Sequence, residues 1–491
     1  MDREQLLVNK LKNYGASEAC PMHMPGHKRQ TGESFLRKFP NPFSIDITEI
    51  DGFDNLHHPE GILKDSMEWA ADVYGADKTW YLVNGSSCGI LSAVCGTVKP
   101  GERILMSRNC HKSAYHGVIL SQAEADYVYP QTLENLGIQG GILASDVEKK
   151  LEEQPDIRAV LIVSPTYDGV VSDVEGIAEV VHQHGIPLIV DEAHGAHFPF
   201  GKGVFPRSAL DCGADLVIQS LHKTLPSLTQ TAVMHGRAGR VDFGRIEWFL
   251  QMFQSSSPSY VFMAAIEQCI WEMSQNGVMQ MQKFAGRLQN LRSQLKELRR
   301  LRLLGAEVLD GKENDGVFAL DMSKIVVSCR SCGISGETLG DWLRQRYHIE
   351  MEMCGADYVV AITTYLDQEK DLYRLGTALL ELDRELAKRE RDAGRLERRG
   401  KKGLEAAMPR PQIRRKLFET VQCPQKAENL ANCVGKISGE FVYLYPPGIP
   451  IVAPGELITA EILQMINRYK EMKLPVQGME DKEAKRLKVL V

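Results

Sequence analysis

The chain has 491 residues, 43% of them hydrophobic and 25% charged, with a formal net charge of −6. That balance describes a folded globular protein of two or three domains and excludes collagen-like, disordered or disulfide-stapled chains. The acidic balance gives no ground for nucleic-acid binding, and no run approaches the ~18 apolar residues of a membrane-spanning helix.

The first residues, MDREQLLVNKLKNYG, are charged and amphipathic, so no secretory leader is expected. They predict a short helix over 1–15 with Leu6, Leu7 and Leu11 on one face. Met22-His23-Met24-Pro25-Gly26-His27-Lys28 follows as a Pro-Gly loop. Residues 46–61 are rich in acid (Asp46, Glu49, Asp51, Asp54), which reads either as a solvated loop or as a rim that attracts a cationic substrate. Lys64 to Gly75 predicts a helix. Thr79–Val83 predicts a strand ending in Asn84-Gly85-Ser86-Ser87-Cys88-Gly89, with a helix after it. Small residues and hydroxyls at a helix start suit an anion, though they also suit ordinary capping. Ile104–Met106 and Ala159–Val163 predict two more strands. The first ends in Arg108-Asn109-Cys110-His111-Lys112-Ser113 and the second in Ser164-Pro165-Thr166-Tyr167-Asp168-Gly169. Helix Ile177–His184 follows, and the repeated strand–helix–strand order predicts a mostly parallel sheet with helices on both faces.

The stretch Ile186–Gln230 organises the rest. Its apolar runs Ile186–Val190 and Ala214–Ile218 read as buried parallel strands. One ends in Asp191-Glu192-Ala193-His194 and the other in Ser220-Leu221-His222-Lys223. Sites in open α/β sheets form at the carboxyl ends of strands, so a carboxylate, imidazoles and a lysine should converge there. That set suits pyridoxal 5'-phosphate (PLP). Lys223 would form a Schiff base with the aldehyde, Asp191 would pair with the ring nitrogen, and Ser220 and His222 would serve the phosphate. Asp-Glu-Ala-His also spells a helicase box, but the chain has no Gly-x-x-x-x-Gly-Lys-Ser/Thr loop.

Beyond the lysine, Ser255–Ser257 precede Pro258 in a predicted loop. Residues 275–304 predict a long connecting helix. Strands Val317–Leu320, Ile325–Val327 and Tyr358–Ile362, with helix Ser335–Tyr347, predict a small α+β domain. Cys329-Arg330-Ser331-Cys332 is a single pair without a second, so no metal site is expected. The eleven cysteines are odd in number and scattered, which predicts reduced thiols in the cytoplasm. The charged tract 387–402 interleaves both signs and carries no aromatic, so it reads as a solvated helix or linker.

These motifs resemble the bacterial ornithine/lysine/arginine decarboxylase family of fold-type-I PLP enzymes. The resemblance rests on Pro25-Gly26-His27-Lys28, the Arg108–Ser113 and Ser164–Tyr167 stretches, Asp191-x-x-His194 and Ser220-x-His222-Lys223. Most specific is Gly439-Glu440-Phe441-Val442-Tyr443-Leu444-Tyr445-Pro446-Pro447-Gly448-Ile449-Pro450 near the C-terminus. The resemblance implies PLP-dependent decarboxylation of arginine, lysine or ornithine, and a homodimer or larger oligomer. It implies that Gly85, Ser86 and Ser87 hold the phosphate, that His111 stacks on the ring, that Thr166 lies near the ring oxygen, and that His194 orients the ring oxygen or the substrate. It implies that the serines at 255–257 reach a neighbouring subunit. Asp46, Glu49, Asp51, Asp54 and Glu440 are the candidates for reading the substrate's distal charge. The expected domains are 1–274 (N-terminal segment and PLP-binding domain), 275–388 (connector helix and small domain), 389–405 (charged linker) and 406–491 (C-terminal domain). Another PLP reaction on the same fold, or a non-catalytic paralogue, is the alternative.

Overall fold

The computed structural model describes residues 7–30, 39–309, 316–392, 408–446 and 448–491. The short apolar runs build one large sheet from β1 (Lys78–Leu82), β2 (Arg103–Ser107), β3 (Glu124–Val128), β4 (Ile157–Val163), β5 (Leu188–Asp191), β6 (Leu216–Gln219) and β7 (Ala232–Gly236). Their spatial order is β1-β7-β6-β5-β4-β2-β3. Neighbours from β6 to β3 pair in parallel, while β7 runs against both β6 and β1.

The central strands are apolar on both faces because helices cover both faces. Val160, Ile162, Leu188, Val190 and Val217 enter one core, and the alternating Ala159, Leu161, Ile189, Leu216 and Ile218 enter the other. Helix Ile62–Tyr74 leads into β1 and ends where Gly75 adopts the left-handed region (φ 69). Helix Gly85–Thr97 leaves β1, and helix Val174–Gln183 leads into β5.

Several expected boundaries move. Strands β5 and β6 begin two residues later than read from the sequence, and both run one residue further, so that Asp191 and Gln219 are their last residues. The connecting helix spans Tyr260–Leu295, starting well before residue 275, and residues 302–303 are strand. Ser259 caps it by accepting from Phe262 N–H, so the helix starts as soon as the serine loop ends. The small domain is a four-stranded sheet in the order Arg302–Leu303, Lys324–Ser328, Tyr358–Ile362, Met353–Cys354, with helix Gly336–Tyr347 against it. Its last helix, Glu369–Asp392, passes the expected boundary at 388. Most of the expected charged linker 389–405, from residue 393 on, lies outside the described residues. The first helix, Leu7–Gly15, buries nothing; Leu7 and Leu11 are exposed, and Leu6 lies outside the described residues.

The C-terminal domain has its own core, in which Val442, Val452, Ile458, Ile462 and Ile466 meet Leu487 and Val489. It is fixed to the large domain by a buried ion pair. Arg108 Nη2 donates to Glu456 Oε2 at 3.0 Å and Arg108 Nη1 to the carbonyl of Pro450 at 2.9 Å. Among the described residues no helix is long and apolar enough to cross a membrane.

Candidate active site

The ends of β4, β5 and β6 open into a cavity of about 930 Å³. Lys223 stands on the one-turn helix Leu221–Thr224 that follows β6, and Asp191 is the last residue of β5. Lys223 Nζ and His194 Nε2 are 3.0 Å apart. Burial, reinforced by Lys223, holds His194 well below its ordinary pKa, so the imidazole is neutral and Nε2 accepts from the lysine. Burial lowers Lys223 as well, with Asp191 and Glu352 pulling the other way. Asp191 accepts from Ala193 N–H at 3.1 Å; burial raises its carboxyl and Lys223 offsets part of that.

His111 lines the same cavity from the turn after β2. Its Nδ1 lies 2.9 Å from Ser113 Oγ, and burial followed by Lys223 lowers it to about 3. A neutral ring of this kind suits stacking rather than acid–base work. Gly448 of the C-terminal domain covers it: a Cβ on that residue would stand 3.3 Å from His111 Cδ2, and its φ is +84°. Leu444, Tyr445, Pro446, Ile449 and Pro450 continue that cover.

Another part of the same cavity wall is built for an anion. Gly85, Ser86 and Ser87 begin a 13-residue helix whose N-cap, Asn84, makes no side-chain capping bond. The first amides of that helix therefore remain for a ligand, with the helix dipole behind them. His222 donates its Nδ1 proton to the Thr231 carbonyl at 2.8 Å and is lowered to about 4, chiefly by burial. A bound phosphate would favour a proton on its Nε2. Thr166 lines the wall with Oγ1 accepting from Val170 N–H at 3.0 Å. The residues present thus fit PLP: a lysine for the aldehyde, a carboxylate for the ring nitrogen, an aromatic face and an amide cradle.

The N-terminal loop supports the lysine. Gly26 N–H donates to the His222 carbonyl at 2.7 Å, and a Cβ on Gly26 would lie 2.5 Å from the Leu225 carbonyl oxygen. Only glycine permits that approach. Lys28, fully buried, donates to the carbonyls of Pro21, His23 and Ile362 and ties this loop to the small domain.

Residues 6–371 match the family described as Orn/Lys/Arg decarboxylase, major domain, and residues 408–482 match its C-terminal domain. The chain belongs to the Orn/Lys/Arg decarboxylase family. This decarboxylase is 32% identical over 491 residues to Arginine decarboxylase of Bacillus subtilis (strain 168), covering 99% of this chain and 98% of the relative. To Ornithine decarboxylase of Haemophilus influenzae it is 28% identical over 281 residues, 50% of this chain and 39% of that one. The crystal structure of the Francisella novicida lysine decarboxylase LdcF shares the fold, with a TM-score of 0.76 and 20% identity over 99% of this chain and 81% of that one. The fold-type-I architecture expected from the sequence is the one observed.

Of the expected site residues of the decarboxylase, Gly85, Ser86, Ser87, His111, Thr166, Asp191, His194, His222 and Lys223 share the cavity wall. Ser220 stands behind it, wholly buried, with Oγ bonded to nothing among the described residues. The acids proposed for the distal charge are elsewhere: Asp46, Glu49, Asp51, Asp54 and Glu440 are absent from this chain's cavity wall. Asp54 instead accepts from the N–H groups of Asn55, Glu60, Gly61 and Leu63 and shapes the start of a helix. Glu440 accepts from Glu480 and Lys488 N–H within the C-terminal domain. The acids that do line the cavity, beyond Asp191, are Asp168, Glu337, Asp341, Glu352 and Asp357. Four of these carry no local motif. Asp168 sits inside one, but there it reads as part of a turn.

Proposed function

We propose that this decarboxylase acts on arginine, breaking the Cα–carboxylate bond to release carbon dioxide and agmatine, with PLP as cofactor. Support for arginine comes from the full-length likeness to a relative that carries that name, against half-length likeness to an ornithine decarboxylase. The observation that carries the chemistry is the 3.0 Å contact of Lys223 and His194 in the cavity that Asp191 and the amide cradle at Gly85–Ser87 also line.

Bound PLP would supply an electron sink for the pair left when the carboxylate departs. Lys223 is the residue that would hold it, and Asp191 would keep a proton on the ring nitrogen. His111, on the cavity wall, would support one face of the cofactor's ring. Burial keeps the Lys223 amine less basic than a surface lysine, which favours its neutral, nucleophilic form. Lys223 Nζ, oriented by His194, is also the group placed to return a proton to Cα. The apolar cover of Leu444, Tyr445 and Ile449 keeps water from that carbon.

We place the enzyme in the cytoplasm as a homodimer or larger oligomer. None of the eleven cysteines forms a disulfide, which fits a reducing compartment. Exposed Leu7, Val8, Leu11, Phe43, Ile50 and Phe53 give the N-terminal region apolar surface for a second copy. Ser255 and Ser257 are exposed and outside this chain's own cavity, in keeping with service to a neighbour's phosphate. The test is carbon dioxide release from arginine, lysine and ornithine in turn, with PLP supplied. Arginine should be the best substrate by at least ~10-fold in kcat/KM. Preference for lysine or ornithine would move the substrate, and no release from any of the three would refute the reading.

A further inference from the structure

A substrate with a cationic end needs a carboxylate inside the cavity, and the acids of the wall differ in what they already do. Asp191 belongs to the cofactor. Glu352 accepts from Tyr167 Oη at 2.6 Å through Oε1 and from Met24 N–H at 2.9 Å through Oε2. Asp341 is paired with Arg344 at 2.9 Å and Asp357 with Arg330 at 3.7 Å. Glu337 lies on the outer helix, half-exposed, where solvent screens it.

Asp168 is different. It is 6% exposed, and its Oδ1 is buried with no hydrogen-bond partner. Its Oδ2 has only a long contact, 3.5 Å, from Tyr358 Oη. It stands two residues beyond Thr166, on the loop that carries the cofactor-facing wall. A buried carboxylate oxygen without a donor is costly unless a ligand supplies one.

Resting on the proposed decarboxylation of a basic amino acid, we infer that Asp168 is the residue that binds the substrate's distal cation through its free Oδ1. An ammonium or guanidinium N–H donates to Oδ1, while Tyr358 holds Oδ2. The titratable and charged groups that act on Asp168 are Tyr358 and Lys324 from the small-domain sheet and the adjacent Tyr167. Lys324 Nζ is itself within 3.8 Å of Asp321 Oδ2, so its charge is shared with a second acid. Burial pushes Asp168 up to about 7 against the pull of Tyr358 and Lys324. Binding a permanent cation therefore requires the carboxylate form, and uptake below about pH 7 expels a proton.

The test uses the PLP-loaded enzyme and titration calorimetry with agmatine, putrescine and the neutral-tailed butylamine, alongside kinetics with arginine and norleucine. Asp168→Asn should weaken agmatine and putrescine by at least ~10-fold and raise KM for arginine as much, leaving butylamine and norleucine unchanged. In the parent protein the affinity for agmatine should rise about tenfold from pH 6 to pH 8, with proton release at pH 6 that butylamine does not show. That measurement needs no variant. Unchanged discrimination between agmatine and butylamine in Asp168→Asn, or a flat affinity from pH 6 to 8, overturns the assignment. Failure of the parent enzyme to release carbon dioxide from any basic amino acid would instead refute the reading on which it rests, and the amine titrations would still report on Asp168.

Discussion

Replacing Glu456 with Leu should open the C-terminal lid over His111. Arg108 and Glu456 are both essentially inaccessible, with side chains 0% and 1% exposed. The guanidinium also donates to Tyr115 Oη at 2.6 Å and to the carbonyls of Pro450 and Ile451 at 2.9 and 3.4 Å. Glu456 Oε2 takes the Ala453 N–H at 2.7 Å in addition. Removing the acid leaves a buried guanidinium without its counter-charge, which costs about 3–5 kcal/mol. The loss falls on the segment Tyr445–Ala453, because that is where the pair fastens the two domains. At the lower figure the local opening equilibrium rises about 150-fold. Hydrogen exchange followed by mass spectrometry over residues 442–458 reads this directly, since those amides should exchange through local opening. Arg108→Met with Glu456→Leu should recover most of the protection, because no unpaired charge remains. Protection within about threefold of the parent in Glu456→Leu would refute the reasoning, as would a double variant worse than the single.

Substitutions at three further positions probe the site. Lys223→Ala should abolish carbon dioxide release while leaving the circular dichroism spectrum unchanged; residual turnover within ~10²-fold of the parent would remove Lys223 from its role. Gly26→Ala places a Cβ 2.5 Å from the carbonyl oxygen of Leu225, the residue that caps the Lys223 helix, so kcat should fall more than ~10-fold and PLP affinity should drop with it; normal PLP affinity would show that the helix adapts. His111→Phe should retain more PLP affinity than His111→Ala in fluorescence titration, because an aromatic face survives; equal affinities would exclude stacking.

The large domain was legible because its strands are short, β-branched and apolar on both faces, a pattern that parallel sheets impose and little else does. That the lysine, the carboxylate and the imidazoles share one cavity followed, since each lies at or a few residues beyond the end of such a strand. What stayed hidden depends on distant packing. Asp54 and Asp168 look alike in the sequence, yet one is a helix-start acceptor for backbone amides and the other a buried carboxyl at the cavity wall. The density of acid around Asp46–Asp54 pointed to charge recognition, whereas that loop's own amides satisfy Asp54. The early start of the long helix was written in Ser259, but the neighbouring serines made it read as more loop. The lid motif at Tyr445–Pro450 marked the family without revealing that it closes over His111, because the contact joins residues more than three hundred positions apart.

A buried carboxyl with one oxygen left without a donor should weaken the fold that carries it, and this separates Asp168 from a merely structural acid. Burial raises its pKa from 3.8 to about 7. For a group whose folded pKa is raised, the favourable contribution is fully present below the unfolded value and is lost as pH rises through the folded one. Between pH 5 and pH 8, without substrate or amine, the parent should therefore lose about 2–3 kcal/mol more stability than Asp168→Asn. Urea unfolding at the two pH values measures the difference. The variant should be at least as stable as the parent at pH 8, since an amide needs no proton and no counter-ion there. Agmatine at saturating concentration should restore the parent and do little for the variant. A variant less stable than the parent at pH 8, with the same slope between pH 5 and 8, would mean that Asp168 holds the fold together, because stability kept in reserve for a ligand is the mark of a binding group.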